Sequence, residues 1–146
     1  MSKITFIIPT IGKNTLQKSL SCLLNQTNNK WNAIVIFDGI EPNIDINDER
    51  ILVLKTSKLG KGHNSAGNVR NYGIKYVKTE WIAFLDDDDA IKNNYVDIFL
   101  NEISNYTTDL IIFRMIDNKY IILPKHNTDN FYEGSVGISF AVKKKY

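Results

Sequence analysis

Four consecutive carboxylates, Asp86 to Asp89, follow the apolar segment "WIAFL" (81–85). Carboxylates packed this closely repel one another, and their pKa values rise unless a cation compensates. Mg²⁺ and Mn²⁺ favour oxygen ligands, and one or two carboxylates often hold them while substrate phosphates complete the shell. The run therefore indicates either a solvated acidic turn or a divalent metal site. Its position after a predicted buried strand favours the metal site.

Other templates for metal or phosphate binding do not fit. A calcium-binding EF-hand loop needs a further oxygen ligand, a glycine and a distant glutamate, but Ala90 and Ile91 stand at the relevant positions. The segment "IGKNT" is similar to the end of a P-loop, yet Asn14 follows the lysine and Ile7 stands where the first glycine belongs. The spacings of a nucleophile elbow and of a zinc site are absent.

The elements that must position the acidic run alternate between strands and amphipathic helices. Apolar segments predict strands at 4–9, 32–39, 51–55 and 81–85. Apolar stripes at helical spacing predict helices that carry Leu16, Leu20, Leu23 and Leu24, then Ala66, Val69, Gly73 and Val77, then Val96, Phe99, Leu100 and Ile103. Gly73 is expected to allow a close approach of its helix to the sheet. This order predicts a mostly parallel sheet covered by helices.

Polar clusters follow three of these strands. They are Pro9-Thr10, Asp38-Gly39 and Asp86 to Asp89. In parallel α/β sheets, ligands bind outside the carboxyl ends of the strands. The three clusters are therefore expected to converge at one edge of the sheet.

The C-terminal third predicts further strands. Segments 110–116 and 119–123 flank Asp117-Asn118 and indicate a β-hairpin, and 137–142 predicts a last strand.

Composition is that of a globular chain of 146 residues, with 43% hydrophobic and 23% charged residues, and it predicts a single domain, 1–146. The net charge of +2 gives no reason to expect a nucleic-acid or membrane surface. No apolar run approaches ~20 residues, so no transmembrane segment is predicted. We expect a cytoplasmic location, peripheral to a membrane only through a partner. Cys22 is interpreted as a buried structural thiol.

Four segments in order and spacing resemble the GT-A glycosyltransferases of the large inverting group often called family 2. They are "TFIIPTIGKNTLQKSLSCLLNQT", "IVIFDG", "SAGNVRNYGI" and "EWIAFLDDDDAI". The resemblance implies a Rossmann-like, three-layer α/β/α fold with a short C-terminal part. Residues 1–97 would form the nucleotide-sugar half and 98–146 a partial acceptor-side half.

The resemblance also implies an activity. The donor would be a UDP-sugar, with UDP-glucose or UDP-galactose as first choices, and Mn²⁺ or Mg²⁺ would assist. A hexose would pass to a carbohydrate or glycoconjugate acceptor by a single displacement with inversion. A homo-oligomer is compatible with the sequence.

Carried over residue by residue, the resemblance implies a nucleotide pocket. Pro9 and Thr10 would line the base and ribose, and Asp38 would accept a hydrogen bond from the base. The contacts from the third segment would be Asn64, Asn68 and Arg70. Structural alternatives stay open, because Asp38 could cap a turn with Gly39 and Arg70 could pair with a surface carboxylate.

The acidic run matches the D-x-D motif of the family. Asp86 would meet the ribose, Asp87 is the middle residue, and Asp88 would bind the metal. Asp89 would lie near the donor sugar, so Asp88 and Asp89 are the predicted catalytic residues.

The sequence departs from the family pattern on the acceptor side. "GNVRN" replaces "AARN", and the glutamate-aspartate pair that supplies the general base has no match. Inverting transfer needs a base near the acceptor hydroxyl, and Asp129 and Glu133 are the carboxylates in the right part of the chain. Three alternatives remain: an enzyme that uses these groups or Asp89, a subunit completed by a partner, and a donor-binding domain without turnover. A sugar nucleotidyltransferase and a purely structural domain are more distant rivals.

Overall fold

The computed structural model of the chain describes residues 1–61, 65–125, 131 and 135–145. In chain order, the first six elements are β1 (Ile4–Thr10), α1 (Leu16–Leu24), β2 (Trp31–Asp38), β3 (Ile51–Thr56), α2 (Ala66–Ile74) and β4 (Trp81–Phe84). The elements that follow are α3 (Tyr95–Asn105), β5 (Leu110–Ile112), β6 (Met115–Ile116), β7 (Ile122–Leu123) and β8 (Phe140–Lys143). Within the described residues, no helix is both long enough and apolar enough to cross a membrane.

A six-stranded sheet forms the centre of the fold, with strand order β3-β2-β1-β4-β8-β5. Strands β3, β2, β1 and β4 are parallel to one another. Strand β8 is antiparallel to both of its neighbours, β4 and β5. The predicted α/β class with a mostly parallel sheet is confirmed. The carboxyl ends of β1, β2 and β4 consequently meet at one edge.

Helices cover both faces of this sheet. Every residue of β1 is buried, and successive strand residues point to opposite faces. Phe6 belongs to a cluster that includes Leu20 of α1 and Phe99 of α3. Ile7 belongs to a second cluster with Val69 of α2. The alternation along β1 therefore produces the three layers that the sequence predicts.

Helix α2 packs closely on the sheet because Gly73 has no side chain. A Cβ at Gly73 would lie 2.6 Å from Cδ1 of Ile36 and 3.0 Å from Cγ2 of Ile7. A Cβ at Gly67, on the same helix, would meet nothing within 4 Å. The predicted close approach at Gly73 is confirmed.

Helix α1 differs from its prediction at one position. Leu16, Leu20 and Leu23 are buried, whereas Leu24 is 38% exposed. Leu24 lies about 80° around the helix axis from Leu16, at the edge of the apolar stripe, so its predicted burial is wrong. Cys22 is half-buried rather than fully buried: its thiol donates to the Ser19 carbonyl. Burial raises the pKa of this thiol, in keeping with a structural role.

The predicted hairpin is shorter than its two apolar segments. Only β6 and β7 pair with each other, while β5 pairs with β8 in the main sheet. The chain reverses at Asp117-Asn118 as predicted, but the loop is longer than these two residues. The Asp117 carboxylate accepts from the amides of Lys119 and Ile121, both at 2.8 Å, and so the turn extends over 117–121.

Candidate active site at the carboxyl edge of the sheet

A cleft of about 560 Å³ lies at the carboxyl edge of the parallel strands. The residues that line it are Pro9, Thr10, Ile11, Lys13, Asp38, Lys58, Gly60, Ser65, Ala66, Val69, Asp86, Asp87 and Asp88. The three polar clusters that the sequence places after β1, β2 and β4 therefore converge as expected. A larger hollow, about 690 Å³, lies at the amino edge of the sheet, and its described lining includes none of the predicted residues.

Asp87 is the buried member of the acidic run, and Thr10 holds it in place. In the parallel register of β1 and β4, Ile7 pairs with Phe84. The same register, continued three residues further, brings Thr10 beside Asp87. The Thr10 hydroxyl donates to Oδ2 of Asp87 at 2.7 Å, and the Gly12 amide donates to the Thr10 oxygen at 2.9 Å.

Lys13 supplies a positive charge to the acidic run. Its Nζ lies 2.8 Å from Oδ2 of Asp88 and 3.3 Å from Oδ1 of Asp87. The hydrogen bond to Asp88 is the main cause that raises the pKa of Lys13; Asp87 adds to it, and partial burial opposes it. Part of the repulsion within the run is thus offset by a side chain that the sequence-based prediction did not include.

Arg70 contacts Asp86 rather than the interior of the cleft. Its Nη2 lies 2.5 Å from Oδ1 of Asp86, and its guanidinium carbon lies 5.9 Å from the ring centroid of Phe84. The side chain is 18% exposed, and its buried Nε–H has no partner among the described residues. Arg70 therefore pairs with a carboxylate, the structural alternative, and that carboxylate is itself a predicted site residue.

Asp89 is not among the described residues that line the cleft, and its main chain is held by two hydrogen bonds. Its amide donates to the Asp86 carbonyl at 3.1 Å and closes a turn. Its own carbonyl accepts from the Ser19 hydroxyl of α1 at 2.7 Å. Burial, followed by the charges of Asp86, Asp88 and Asp87, raises the pKa of the Asp89 carboxyl, and Lys13 opposes this in part.

Asp38 anchors the loop that follows β3. Its Oδ1 accepts from the Leu59 amide at 2.6 Å, and its Oδ2 accepts from the Gly60 amide at 3.1 Å. The Lys58 ammonium lies 3.0 Å from Oδ2. Burial alone raises the pKa of Asp38, but the two amides and Lys58 outweigh it and leave the pKa below its usual value. Asp38 is thus ionised and forms one wall of the cleft.

Gln26 connects α1 to the segment after the acidic run. Its side-chain amide donates to the Lys92 carbonyl at 2.8 Å, and its side-chain oxygen accepts from the Val96 amide at 3.1 Å. Thr27 donates to the Asn93 carbonyl at 3.0 Å. Gln26 and Thr27, the last two residues of the first segment that resembles the family, therefore fix the chain that leaves the acidic run.

Several predicted site residues are not placed in the cleft. Asn64, Asp129 and Glu133 lie outside the described residues. Asn68 is exposed on α2, and its side-chain amide donates to the Leu59 carbonyl at 3.4 Å. Across the part of the chain that the structure describes, no group of three or more His, Cys, Asp or Glu is arranged to hold a metal ion by itself.

Three residues of the site were missed by the sequence interpretation: Lys13, Ser19 and Lys58. Lys13 lies four residues after the predicted strand 4–9, and Lys58 lies three residues after the predicted strand 51–55, in the loops that border the expected site. That position is a usable signal. Ser19 gives no comparable signal, because a serine on an amphipathic helix is common.

The chain has a mostly parallel sheet with helices on both faces and an acidic run at the end of a central strand. These features define a GT-A domain. The sequence profile described as "Glycosyl transferase family 2" matches residues 5–145. The chain belongs to this family.

Two curated relatives have related sequences. TarP of Staphylococcus aureus (strain N315), a poly(ribitol-phosphate) beta-N-acetylglucosaminyltransferase, is 30% identical over 86% of this chain and 40% of TarP. WfgD of Escherichia coli, a UDP-Glc:alpha-D-GlcNAc-diphosphoundecaprenol beta-1,3-glucosyltransferase, is 34% identical over 59% of this chain and 35% of WfgD. The chain thus spans less than half of each relative.

Solved structures of S. aureus TarS share the fold. The 1–349 fragment has a TM-score of 0.73 at 17% identity and covers 97% of this chain and 47% of the fragment. Its complex with UDP-GlcNAc has a TM-score of 0.58 at 20% identity, over 77% of this chain and 34% of that one.

Proposed function

We propose that the chain binds a UDP-sugar in the acidic cleft and transfers the hexose, with inversion, to a carbohydrate or glycoconjugate acceptor. The observation that carries the proposal is the convergence of Thr10, Asp38 and residues 86–88 in one cleft. Membership of glycosyl transferase family 2 supports glycosyl transfer. The TarS complexes with UDP and UDP-GlcNAc, and the UDP-Glc donor in the name of WfgD, support a uridine donor.

The nucleotide would lie between the ends of β1 and β2. Pro9 and Thr10 form the wall against the base and ribose. Oδ1 of Asp38 accepts one amide, and a carboxylate oxygen can accept two hydrogen bonds. It can therefore still accept the N–H of uracil. Asp86, oriented by Arg70, would accept a hydrogen bond from a ribose hydroxyl.

The acidic run fits a hard divalent cation. Asp87 and Asp88 already share one positive charge, the Lys13 ammonium, and their oxygens are the ligand type that Mg²⁺ and Mn²⁺ prefer. Because two carboxylates do not fill a shell, phosphate oxygens of the donor would complete it. Asp88, half-exposed, would hold the cation, Mn²⁺ or Mg²⁺. When bound, the ion supplies charge stabilisation to the departing diphosphate.

Asp89 is proposed to lie next to the donor sugar, where the acceptor would approach. The general base is proposed to be Asp129 or Glu133, or to come from a partner. A partner could be a second copy of this chain.

A thermal-shift panel followed by a turnover assay tests the proposal. UDP, UDP-glucose, UDP-galactose and UDP-GlcNAc would be compared with ADP and GDP, each with and without Mn²⁺. We expect the uridine compounds to raise the Tm, and the increment to require the metal. Release of UDP from the donor, alone or with an acceptor panel, would then measure turnover.

The outcomes separate the rivals. Binding of uridine compounds without UDP release from any donor would identify a donor-binding domain without turnover. Release of pyrophosphate from UTP and a sugar phosphate would identify a nucleotidyltransferase. A Tm unchanged by every nucleotide would contradict donor binding altogether.

A further inference from the structure

Lys13 bridges the exposed and the buried carboxylate of the acidic run. Its ammonium lies 2.8 Å from Oδ2 of Asp88 and 3.3 Å from Oδ1 of Asp87. The other oxygen of Asp87 accepts from Thr10. The ammonium therefore lies on the same two carboxylates that would receive a divalent ion.

A divalent ion and the Lys13 ammonium would exclude each other at Oδ2 of Asp88. Mg²⁺ and Mn²⁺ coordinate oxygen at roughly 2.0–2.2 Å. An ammonium at 2.8 Å from the same Oδ2 would then lie close to a doubly charged ion, and two positive charges at such a separation repel strongly. Metal binding through Oδ2 of Asp88 would therefore displace the Lys13 ammonium.

The main chain around Lys13 is held, so its side chain is the part that moves. Gly12 has φ of +81°, a conformation that glycine adopts without strain, and its amide donates to the Thr10 hydroxyl at 2.9 Å. The Lys13 carbonyl accepts from the Leu16 amide at 3.1 Å, in the first turn of α1. The Lys13 side chain itself is 46% exposed and carries four rotatable methylenes.

We propose that Lys13 couples metal binding to donor binding. Its ammonium competes with the divalent ion for Asp88 until a diphosphate binds the ammonium and draws it away from Asp88. The inference rests on the proposed function. Metal alone displaces the ammonium without giving it a new partner, which weakens metal binding. Metal together with a diphosphate offers the ammonium phosphate oxygens, which lysine binds readily. Donor and metal consequently bind cooperatively, and by linkage each favours the other equally.

The test is Mn²⁺ binding, measured by electron paramagnetic resonance of free Mn²⁺, with and without saturating UDP. The variants are Lys13→Met, which keeps the length and removes the charge, and Lys13→Arg, which keeps the charge. Lys18→Met, at an exposed lysine of α1, is the control. Because the Lys13 side chain is 46% exposed, its ion pairs with Asp87 and Asp88 are together worth about 1 kcal/mol, or about fivefold. We therefore expect Lys13→Met to bind Mn²⁺ alone about fivefold more tightly than wild type. The increase in Mn²⁺ affinity that UDP causes should be about fivefold smaller in this variant than in wild type. Lys13→Arg and Lys18→Met should resemble wild type.

The inference is overturned if Lys13→Met binds Mn²⁺ alone no more tightly than wild type while wild type still binds UDP with Mn²⁺. In that case the proposed function stands. If wild type binds neither Mn²⁺ nor UDP, the proposed function fails and the inference fails with it. Should Lys13→Met not fold by circular dichroism, Lys13→Gln provides the same neutral comparison.

Discussion

The Thr10 hydroxyl donates to the Asp87 carboxylate over 2.7 Å and so joins the ends of two neighbouring parallel strands. Thr10 is 3% exposed and Asp87 is 5% exposed, so solvent does not compete for this bond. A buried carboxylate is costly unless it is hydrogen-bonded and paired. Thr10 and Lys13 together meet this requirement, and they fix Asp87 beside the more exposed Asp88.

Thr10→Val should destabilise the fold and loosen the acidic run. Valine has a similar shape but no hydroxyl, so Asp87 loses a buried donor. We expect a loss of about 1–3 kcal/mol in the free energy of unfolding, measured by urea denaturation. UDP binding in the presence of Mn²⁺ should also weaken, measured by calorimetry.

Thr10→Ser is the matched control because it retains the hydroxyl. It should lose much less stability than Thr10→Val. Equal stability of the serine and valine variants would show that the bond to Asp87 contributes nothing.

Arg70→Met should weaken donor binding through Asp86. Arg70 is largely buried and contacts Oδ1 of Asp86 at 2.5 Å, and hydrogen bonds to charged groups contribute about 1.5–3 kcal/mol. We therefore expect UDP affinity with Mn²⁺ to fall at least about tenfold. Arg70→Lys keeps the charge and should fall less. Unchanged UDP affinity in Arg70→Met would show that Asp86 needs no orientation or does not contact the donor.

Gly73→Ala should destabilise the packing of α2 on the sheet. The new methyl group would meet Ile36 and Ile7 at 2.6 and 3.0 Å, and overpacking of this kind costs about 1–3 kcal/mol. Gly67→Ala on the same helix meets nothing within 4 Å, so helix propensity should make it neutral or stabilising by up to about 1 kcal/mol. Urea denaturation of both variants checks this contrast, and equal stabilities would contradict the close approach at Gly73.

The ion pair of Asp48 and Arg50 should make stability depend on pH at acidic values. Nη2 of Arg50 lies 2.6 Å from Oδ2 of Asp48, and this hydrogen bond is the main cause that lowers the pKa of Asp48 from 3.8 to about 2. A lowered folded-state pKa contributes stability above the unfolded pKa, and that contribution is lost as pH falls through the folded pKa.

Between about pH 5 and about pH 2, the free energy of unfolding of wild type should therefore fall by about 1 kcal/mol more than that of Asp48→Asn. This figure allows for solvent screening, because the pair is partly exposed. Thermal unfolding across this range measures it. Asp45→Asn, at an exposed position of the same loop, should follow wild type. A profile of Asp48→Asn parallel to that of wild type would argue against the pair.

The layered fold could be predicted because its signals are local. Strands buried on both faces read as continuous apolar runs, as in β1 and β2, and helices read as stripes at helical spacing. The edge at which Thr10, Asp38 and Asp86 meet then follows from the parallel arrangement alone.

The predictions that were wrong or incomplete concern contacts between residues far apart in the sequence. Leu110–Ile112 joins β8, nearly thirty residues further along the chain, and this pairing shortens the hairpin. The contact of Lys13 with Asp88 spans 75 positions; the position of Lys13 after the first strand indicates that it lies near the site, but no local pattern indicates which carboxylate it contacts. The roles of Asn64, Asp129 and Glu133 stay predictions, because these residues lie outside the described part of the chain.

The most direct test of metal-assisted donor binding is a calorimetric titration of UDP into wild type and Asp88→Asn, each with Mn²⁺ and with a chelator. We predict that Mn²⁺ strengthens UDP binding by wild type and by the control Asp45→Asn, and that Asp88→Asn loses this metal-dependent increment. Full retention of the increment in Asp88→Asn would contradict the assignment of Asp88, and with it the account of the acidic cleft.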